Sequence, residues 1–393
     1  MTDGADPVAA WAASGAMWLT GHPDGPPLSP AAAVVPALQA TARELPVEVD
    51  VAELLAGRAA LLGLGRRGRT SANGSCRLLP TTDGWVAVNL ARPSDAESVG
   101  ALVEAVVDDD PWAVLTRAAA RMTGADLVDR GTLLGIPVAE LPGPGRVAPA
   151  AAFTLHRLGE AGTTPDVDGE LVVDLSAMWA GPLCAHLLGR TGMRVVKVES
   201  TRRPDGARAG HPGFYEWLHA GHASVTLDLA TAAGRTALAE LVDRADVVVE
   251  SSRPRALAQL GIRAEAVVAS RPGRTWVSIT GYGRTGEAAH RVAFGDDAAA
   301  AAGLVARDDE GLPVFCADAV ADPISGLSAA VGALASVAEG GGHLVEVAMV
   351  DAVRATLATP VEPAAAHRTP DGDWVVKTPT GEHPVAPPRP PAC

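Results

Sequence analysis

The sequence is short of the residues that would pin a fold by covalent or metal bonds. Its four cysteines, Cys76, Cys184, Cys316 and Cys393, are far apart in a chain of 393 residues. That spacing excludes a disulfide scaffold, shows none of the short intervals of a metal site, and suits a reducing, cytoplasmic setting. The stretch MTDGADPVAAW has no basic region followed by an apolar run, and no later stretch approaches about eighteen uncharged apolar residues. Neither export nor membrane insertion is expected.

Basic charge is scarce too. With 32 Lys and Arg against 46 Asp and Glu, the formal net charge is −14, which argues against a nucleic-acid surface. An anionic ligand must therefore be held by local basic groups. The two tyrosines reflect a chain rich in Ala, Arg, Gly and Pro and carry no mechanism. What is plentiful is apolar: 48% of the residues, enough core for two domains or one large one.

The stretch organising the chain is LVVDLSAMWAGPLCAHLLGRTGMRVVKVES, residues 171–200. The apolar run ending in Asp174 is repeated at 194–199 after about twenty helix-compatible residues, which reads as strand, helix, parallel strand. Ser176 can cap the helix, and Leu183, Leu187 and Leu188 share one face of it. Glu199 stands where dinucleotide sites place a ribose-binding acid, but after Asp174 there is only Gly181 before Pro182, and no GxGxxG. A dinucleotide dehydrogenase is thus disfavoured. ASVTLDLAT, DVVVE, WVSIT and residues 344–347 supply further strands, alternating with helices at 232–244 and from Met349, as in a doubly wound sheet.

Before this unit the sequence predicts helices at 11–19, 36–43 and 51–62, then the glycine-rich basic loop GLGRRGRTSANGS, either a solvated connection or a flap over an anion. CRLLPTTDGWVAVNLARP reads as a hairpin turning at Thr82, Asp83 and Gly84, with helices at 94–107 and 111–122 behind it. The expected organisation is a helical segment with the loop over 1–74, a small α+β domain over 75–150, a sheet domain over 165–358 and a proline-rich tail over 359–393, with 142–169 as linker. Residues 13–38 and 301–334 also look like copies of one pattern, a small-residue helix, a polar turn before Pro and an alanine-rich helix. Only the second copy carries Asp318 and Asp322.

Taken together, DLSAMWAGPLCAHLLGRTGMRVVKVE, LHAGHASVTLDLATAAGRTALAELVDRADVVVESSRP, SITGYGRTGEAAHR and ADPISGLSAAVGAL resemble, in order and spacing, the class III CoA-transferases, the superfamily of formyl-CoA transferase, the carnitine CoA-transferases and the methylacyl-CoA racemases. The resemblance is dense over 171–355. The first 150 residues look like the same family entered midway, as a rearranged or truncated tandem copy. The fold this implies is α/β: a Rossmann-like doubly wound parallel-sheet domain with a smaller α+β domain, in interlocked homodimers.

The resemblance also implies a site. Asp322 matches the family's nucleophilic aspartate, which takes an acyl group from CoA as an anhydride and then CoA as a thioester. Read alone, Asp322 is a helix cap before it is a nucleophile, an order that the surrounding motif reverses, and Asp318 is the fallback nucleophile. Trp179 and Ala180, Ser200, Leu227 with Asp228, Leu229 and Ala230, and Ser251 with Ser252 and Arg253 match CoA-contacting positions. Arg291 lies beside another, and Arg208 is a further candidate for a phosphate. No tightly bound cofactor or metal is implied; CoA and acyl-CoA are substrates, with a small carboxylic acid as acceptor.

There are departures from the family pattern. Ser251-Ser252 replaces its Asn-Phe, and His219-Ala220-Gly221-His222 replaces its NRGK. Where the racemases have a His-Asp pair, this chain has Phe294-Gly295-Asp296-Asp297. The alternatives are accordingly an acyl-CoA racemase using Asp296 or Asp297, and a non-catalytic CoA-binding remnant. His219, His222 and His290 read as surface or supporting groups.

Overall fold

The computed structural model describes residues 6–107, 110–143, 147–162, 167–252 and 254–392. Its first sheet is small and antiparallel, made of Cys76–Pro80 (β1), Trp85–Asn89 (β2) and Val138–Glu140 (β3) in that order. The hairpin turn falls at Thr81–Gly84 as expected, closed by the Thr81 amide donating to the Gly84 carbonyl at 2.9 Å. Helices behind this sheet are shorter than predicted, at Pro93–Glu97, Val99–Val103 and Pro111–Ala119. A fourth, Gly124–Leu134, went unpredicted; Thr123 caps it, and Leu127 and Gly131 are buried on its inner face.

The large sheet has seven strands: Thr154–Arg157 (β4), Leu171–Asp174 (β5), Arg194–Ser200 (β6), Ala223–Leu227 (β7), Val247–Glu250 (β8), Thr275–Thr280 (β9) and, after the hairpin Val305–Arg307 (β10) with Pro313–Phe315 (β11), His343–Ala348 (β12). Their order is β4-β12-β9-β8-β5-β6-β7, with every pairing parallel except β4 to β12. Counted from β5, the parallel strands run in the doubly wound order, and the chain reverses direction between β5 and β8. Burial explains the fit. Val172, Val247, Val249, Val277 and Val345 point into one core, while Val173, Val248, Trp276 and Leu344, their neighbours along the same strands, point into another. Alternate residues of a strand face opposite ways, so both faces are covered by helices.

Strand β4 corrects the reading of 142–169 as linker alone. Its residues TLHR are mostly exposed and lie at the antiparallel edge, so they lack the apolar run that marks an inner strand. The first predicted helix is also shifted. It spans Pro7–Ala13, with Asp6 capping it through Val8 and Ala9 amides, and it stops before Gly15 at φ +78°. The helices Val34–Ala42 and Val51–Leu62 form as expected, the second ending at Gly63 in the left-handed conformation.

The N-terminal helices do not stand apart. Trp11, Leu38, Leu54 and Leu55 share one core with Leu183 and Leu187 of the helix Ala180–Arg190 and with Ile324 and Leu327 of the helix Ala321–Ala338. This last helix has the length and hydropathy of a membrane-crossing segment, with Asp322 its only charge, contrary to the expectation that no stretch comes close. It is 78% buried inside the protein. A central core helix passes the same test of length and composition.

Candidate active site

The crevice where the sheet order reverses lies at the carboxyl ends of β5 and β8, the place where open α/β sheets bind ligands. The loop leaving β5 is fixed by a buried lysine. Lys197, on β6, reaches Asp174 at 3.3 Å, Asp205 at 3.0 Å and the Ser176 carbonyl at 2.6 Å. Asp205 also accepts from the Met178 amide at 2.9 Å, which holds Met178 at φ +74°. A left-handed methionine is strained, and such strain persists where surroundings over-determine it.

That loop delivers Trp179 and Ala180 to the start of the helix Ala180–Arg190, both buried. Ser251 comes to the same crevice from β8, where its Oγ accepts from the Ala177 amide at 3.3 Å; Ser252 donates to Glu250 at 3.1 Å. Ser200 and Leu227 end β6 and β7 as register partners. Asp228 to Ala230 form the turn beyond them, with the Ala230 amide donating to Asp228 at 3.1 Å. These positions therefore line one edge of the sheet. Arg253 lies outside the described residues.

Two predicted arginines are engaged elsewhere. Arg208 is paired with Glu199 at 2.6 Å, and its hydrogen bonds hold that carboxyl down at about 2. The phosphate role offered to Arg208 is thus taken by a protein acid. Glu199, placed by spacing where a ribose acid would stand, is bound to Arg208, Tyr215 and the Asp205 amide instead. Arg291 donates to the Val138 carbonyl at 2.8 Å and lies over the Tyr282 ring, next to the small sheet. The three histidines differ among themselves: His219 stacks on Tyr215 at 4.0 Å, His222 keeps both ring nitrogens buried without a hydrogen-bond partner, and His290 ends a short 3-10 helix in an exposed position. Among the described residues no group of three or more His, Cys, Asp or Glu could hold a metal ion.

Asp322 sits in the first turn of the helix Ala321–Ala338, one residue inside the start, and makes no side-chain hydrogen bond to a described residue. It does not cap the helix: the capping position is Val320, which has no side-chain bond. The chain enters this helix through Ala317 at φ +55° and Ala319 at φ +43°, a strained turn. Thr20 accepts from the Ala317 amide at 3.1 Å and Asp296 from the Ala319 amide at 2.9 Å, so both sides of the turn are clamped. Gly326, one turn on, allows close packing; a Cβ there would stand 2.6 Å from the Ala180 carbonyl oxygen. The contact ties the Asp322 helix directly to the predicted CoA edge.

The other nearby acids are committed. Asp318, fully buried, accepts from Arg58 at 2.5 Å and Asn73 at 3.3 Å. Asp296 accepts from Asn73 at 2.6 Å, and Asp297 from Asn89 at 3.0 Å and the Phe294 amide at 3.0 Å. Burial disfavours the charged form and pushes the pKa of Asp296 up to about 6, of Asp297 up to about 7 and of Asp322 up to about 8. For Asp322, Arg58 pulls the other way and the neighbouring acids add to the rise.

Arg58 and Asn73 were not singled out by sequence reading. Arg58 lies on the helix Val51–Leu62, flanked by the rings of Trp179 at 5.3 Å and Phe214 at 5.5 Å. A lone arginine in VAELLAGRAALL was the available signal. Asn73 belongs to the glycine-rich loop, which is pinned through Gly68: its amide donates to Gly21 at 2.8 Å and its carbonyl accepts from Phe315 at 3.0 Å. The loop thus rests against the acids around Asp322 within one chain.

A family model, CoA-transferase family III, matches residues 167–384. The chain belongs to that family. Among its relatives, the succinyl-CoA–D-citramalate CoA-transferase of Chloroflexus aurantiacus is 28% identical over 204 residues, 49% of this chain and 51% of that protein. The succinate–glutarate CoA-transferase of Agrobacterium fabrum is 31% identical over 213 residues, 49% and 53% of the two chains. The solved CAIB/BAIF family protein from Brucella suis superposes with a TM-score of 0.48 at 25% identity, over 56% of this chain and 66% of that one. The family III chain spans about half the length of the curated relatives it matches.

Proposed function

We infer that this protein moves CoA between an acyl-CoA thioester and a free carboxylic acid, with Asp322 as nucleophile. The observation that carries the reading is the contrast among the acids: the Asp322 carboxyl has no hydrogen-bond partner among the described residues, while Asp296, Asp297 and Asp318 each accept at least one hydrogen bond. The named relatives act on succinyl-CoA or succinate with a second acid, which supports acyl-CoA and small carboxylic acids as the substrate classes.

The chemistry is balanced without ATP. An ionised Asp322 oxygen attacks the thioester carbonyl and CoA leaves as thiolate, giving a mixed anhydride. The thiolate then attacks the aspartyl carbonyl and releases the donor acid, leaving an Asp322–CoA thioester. An acceptor carboxylate attacks that thioester, and the thiolate returns to the acceptor's acyl carbon, regenerating Asp322. Two features serve this sequence: the N-terminal end of the helix Ala321–Ala338 and the Arg58 charge partly offset the burial that keeps Asp322 protonated, and the packed loop at 63–74 limits water.

Racemisation gains no support from the Asp296 carboxyl, which accepts from Asn73 and the Ala319 amide, or from Asp297 Oδ1, which accepts from Asn89 and the Phe294 amide. Asp297 Oδ2 is buried with no partner among the described residues, and no histidine among them stands beside it as the second base. Treating the protein with acyl-CoA and then hydroxylamine should label the Asp322 peptide, and Asp322→Asn should abolish label and turnover while sparing CoA binding. Wild-type transfer by Asp322→Asn would defeat the proposal. Solvent exchange of the α-proton would indicate a racemase, and CoA binding without turnover a remnant. The proposal extends to a cytoplasmic setting, supported by three buried free thiols, and to a homodimer, as the resemblance implies; a monomer by light scattering at micromolar concentration would remove the dimer.

A further inference from the structure

Apart from Asp322, the helix Gly295–Ala302 borders a second polar site. Gly295 abuts Asp322, and Ala301, about 9 Å further along the axis at the usual helical rise, forms part of the wall of a cavity of about 340 Å3. Glu140, Tyr282, Arg291, Asp351 and Arg354 complete its polar lining. The size suits a small organic acid.

Two donors there have no acceptor. The Tyr282 hydroxyl and the Arg354 Nε are buried and make no hydrogen bond with a described residue. Arg354 directs Nη1 to Asp351 at 3.2 Å, leaving the Nε side of its guanidinium, a side that can take a carboxylate through two parallel bonds. Arg291 adds a fixed positive charge, its Cζ 3.9 Å from the Tyr282 ring centre and its Nη2 bound to Val138. Of the wall's two acids, Asp351 offsets part of Arg354, and Glu140 lies against Gly124, where a Cβ would stand 2.7 Å from its Oε1. Burial, with the charge of Asp297, keeps the Tyr282 hydroxyl protonated and a donor. Buried donors without partners are costly, and a carboxylate is an acceptor of the kind that each lacks.

We propose that this cavity binds the carboxylate of a small organic acid through Arg354 and Tyr282, with Arg291 supplying long-range attraction. The carboxylate has two sources: the remote end of a dicarboxylic acceptor, which rests on the transferase reading, or a separate acid, which does not.

The test is calorimetric titration of the full chain with succinate, in the absence of CoA, for wild type, Arg354→Gln and Tyr282→Phe. Tyr282→Phe removes only a hydroxyl that bonds nothing in the protein, so it keeps the fold. Each variant should bind succinate at least tenfold more weakly. Unchanged affinity in Tyr282→Phe, or no succinate binding by wild type, overturns the proposal. Where transfer is measurable, a raised KM for succinate with unchanged KM for butyrate assigns the cavity to the acceptor's far end, and an unchanged succinate KM beside weakened binding assigns it to a separate acid. Succinate binding lost in the variants of a chain that transfers nothing supports the cavity and counts against the transferase reading alone.

Discussion

Gly295 stands so close to Asp322 that a Cβ on the glycine would lie 2.4 Å from the Asp322 Oδ2 and 2.2 Å from the Ala319 carbonyl oxygen. The missing side chain is what leaves the carboxylate its place. One of the two obstructing atoms is backbone in the turn clamped by Asp296, so the contact cannot be relieved by rotating a side chain. Gly295→Ala should cost about 1–3 kcal/mol in urea unfolding, as overpacking does, and should reduce transfer far more than CoA binding. Full transfer by this variant would show that Asp322 does not need the confinement.

Stability and activity should respond to pH in opposite directions. Asp297 and Asp322 titrate near 7 and 8 in the folded protein, against an ordinary aspartate value of 3.8. Between those limits the folded chain holds protons that the unfolded chain has released, so the unfolded state binds fewer and stability falls as pH rises. The melting temperature should therefore drop between about pH 4 and 8, with a shallower slope for Asp322→Asn. The transfer rate should rise over the upper part of that range, because the nucleophile must be ionised. A melting temperature that climbs steadily to pH 8 would contradict this account.

The parts that were legible in the sequence share a physical cause. β5, β8, β9 and β12 are buried on both faces, so they appear as continuous apolar runs; β4 at the exposed edge has no such run and was absorbed into a linker. Asp322 was found through the segment ADPISG around it, since an aspartate beside a helix start reads by itself as a cap before it reads as a nucleophile. Its actual distinction, a carboxyl without hydrogen bonds to the described residues beside acids that have them, depends on contacts made by Asn73, Asn89 and Arg58, which are more than 200 residues away. No local pattern encodes such contacts. Lys197 was similarly hidden, because within RVVKVES it occupies a strand position whose partners are Asp174 at the end of β5 and Asp205 in the loop after β6.

Arg58 should set the working pH. It is the cation paired with Asp318, and its field also reaches Asp296 and Asp322. Arg58→Met keeps an apolar stem between Trp179 and Phe214 but removes the charge. Breaking one partner from a buried pair costs about 3–5 kcal/mol, an upper figure here because Asp318 can take up a proton. The Asp322 ionisation should move further up, so the acidic limb of the pH–rate profile shifts to higher pH. Arg58→Lys should restore much of that shift. A loss of activity equal at every pH, with no recovery by lysine, would mean that Arg58 only fills space.

The glycine-rich loop offers a test that separates two of its residues. Gly68 adopts φ +65°, and a Cβ on it would stand 2.3 Å from the His22 Nδ1. His22 in turn meets Asp308 at 3.0 Å, in the turn between β10 and β11. A side chain at Gly68 thus strains the backbone and pushes on the contact that joins the loop to the hairpin. Gly65 has no positive φ and nothing within 4 Å of a Cβ placed on it. Gly68→Ala should therefore slow transfer and raise the share of acyl groups lost to water, measured as free acid per CoA transferred, while Gly65→Ala should leave that partition near wild type. If the two variants leak to water equally, the loop does not seal the site through its anchor at Gly68.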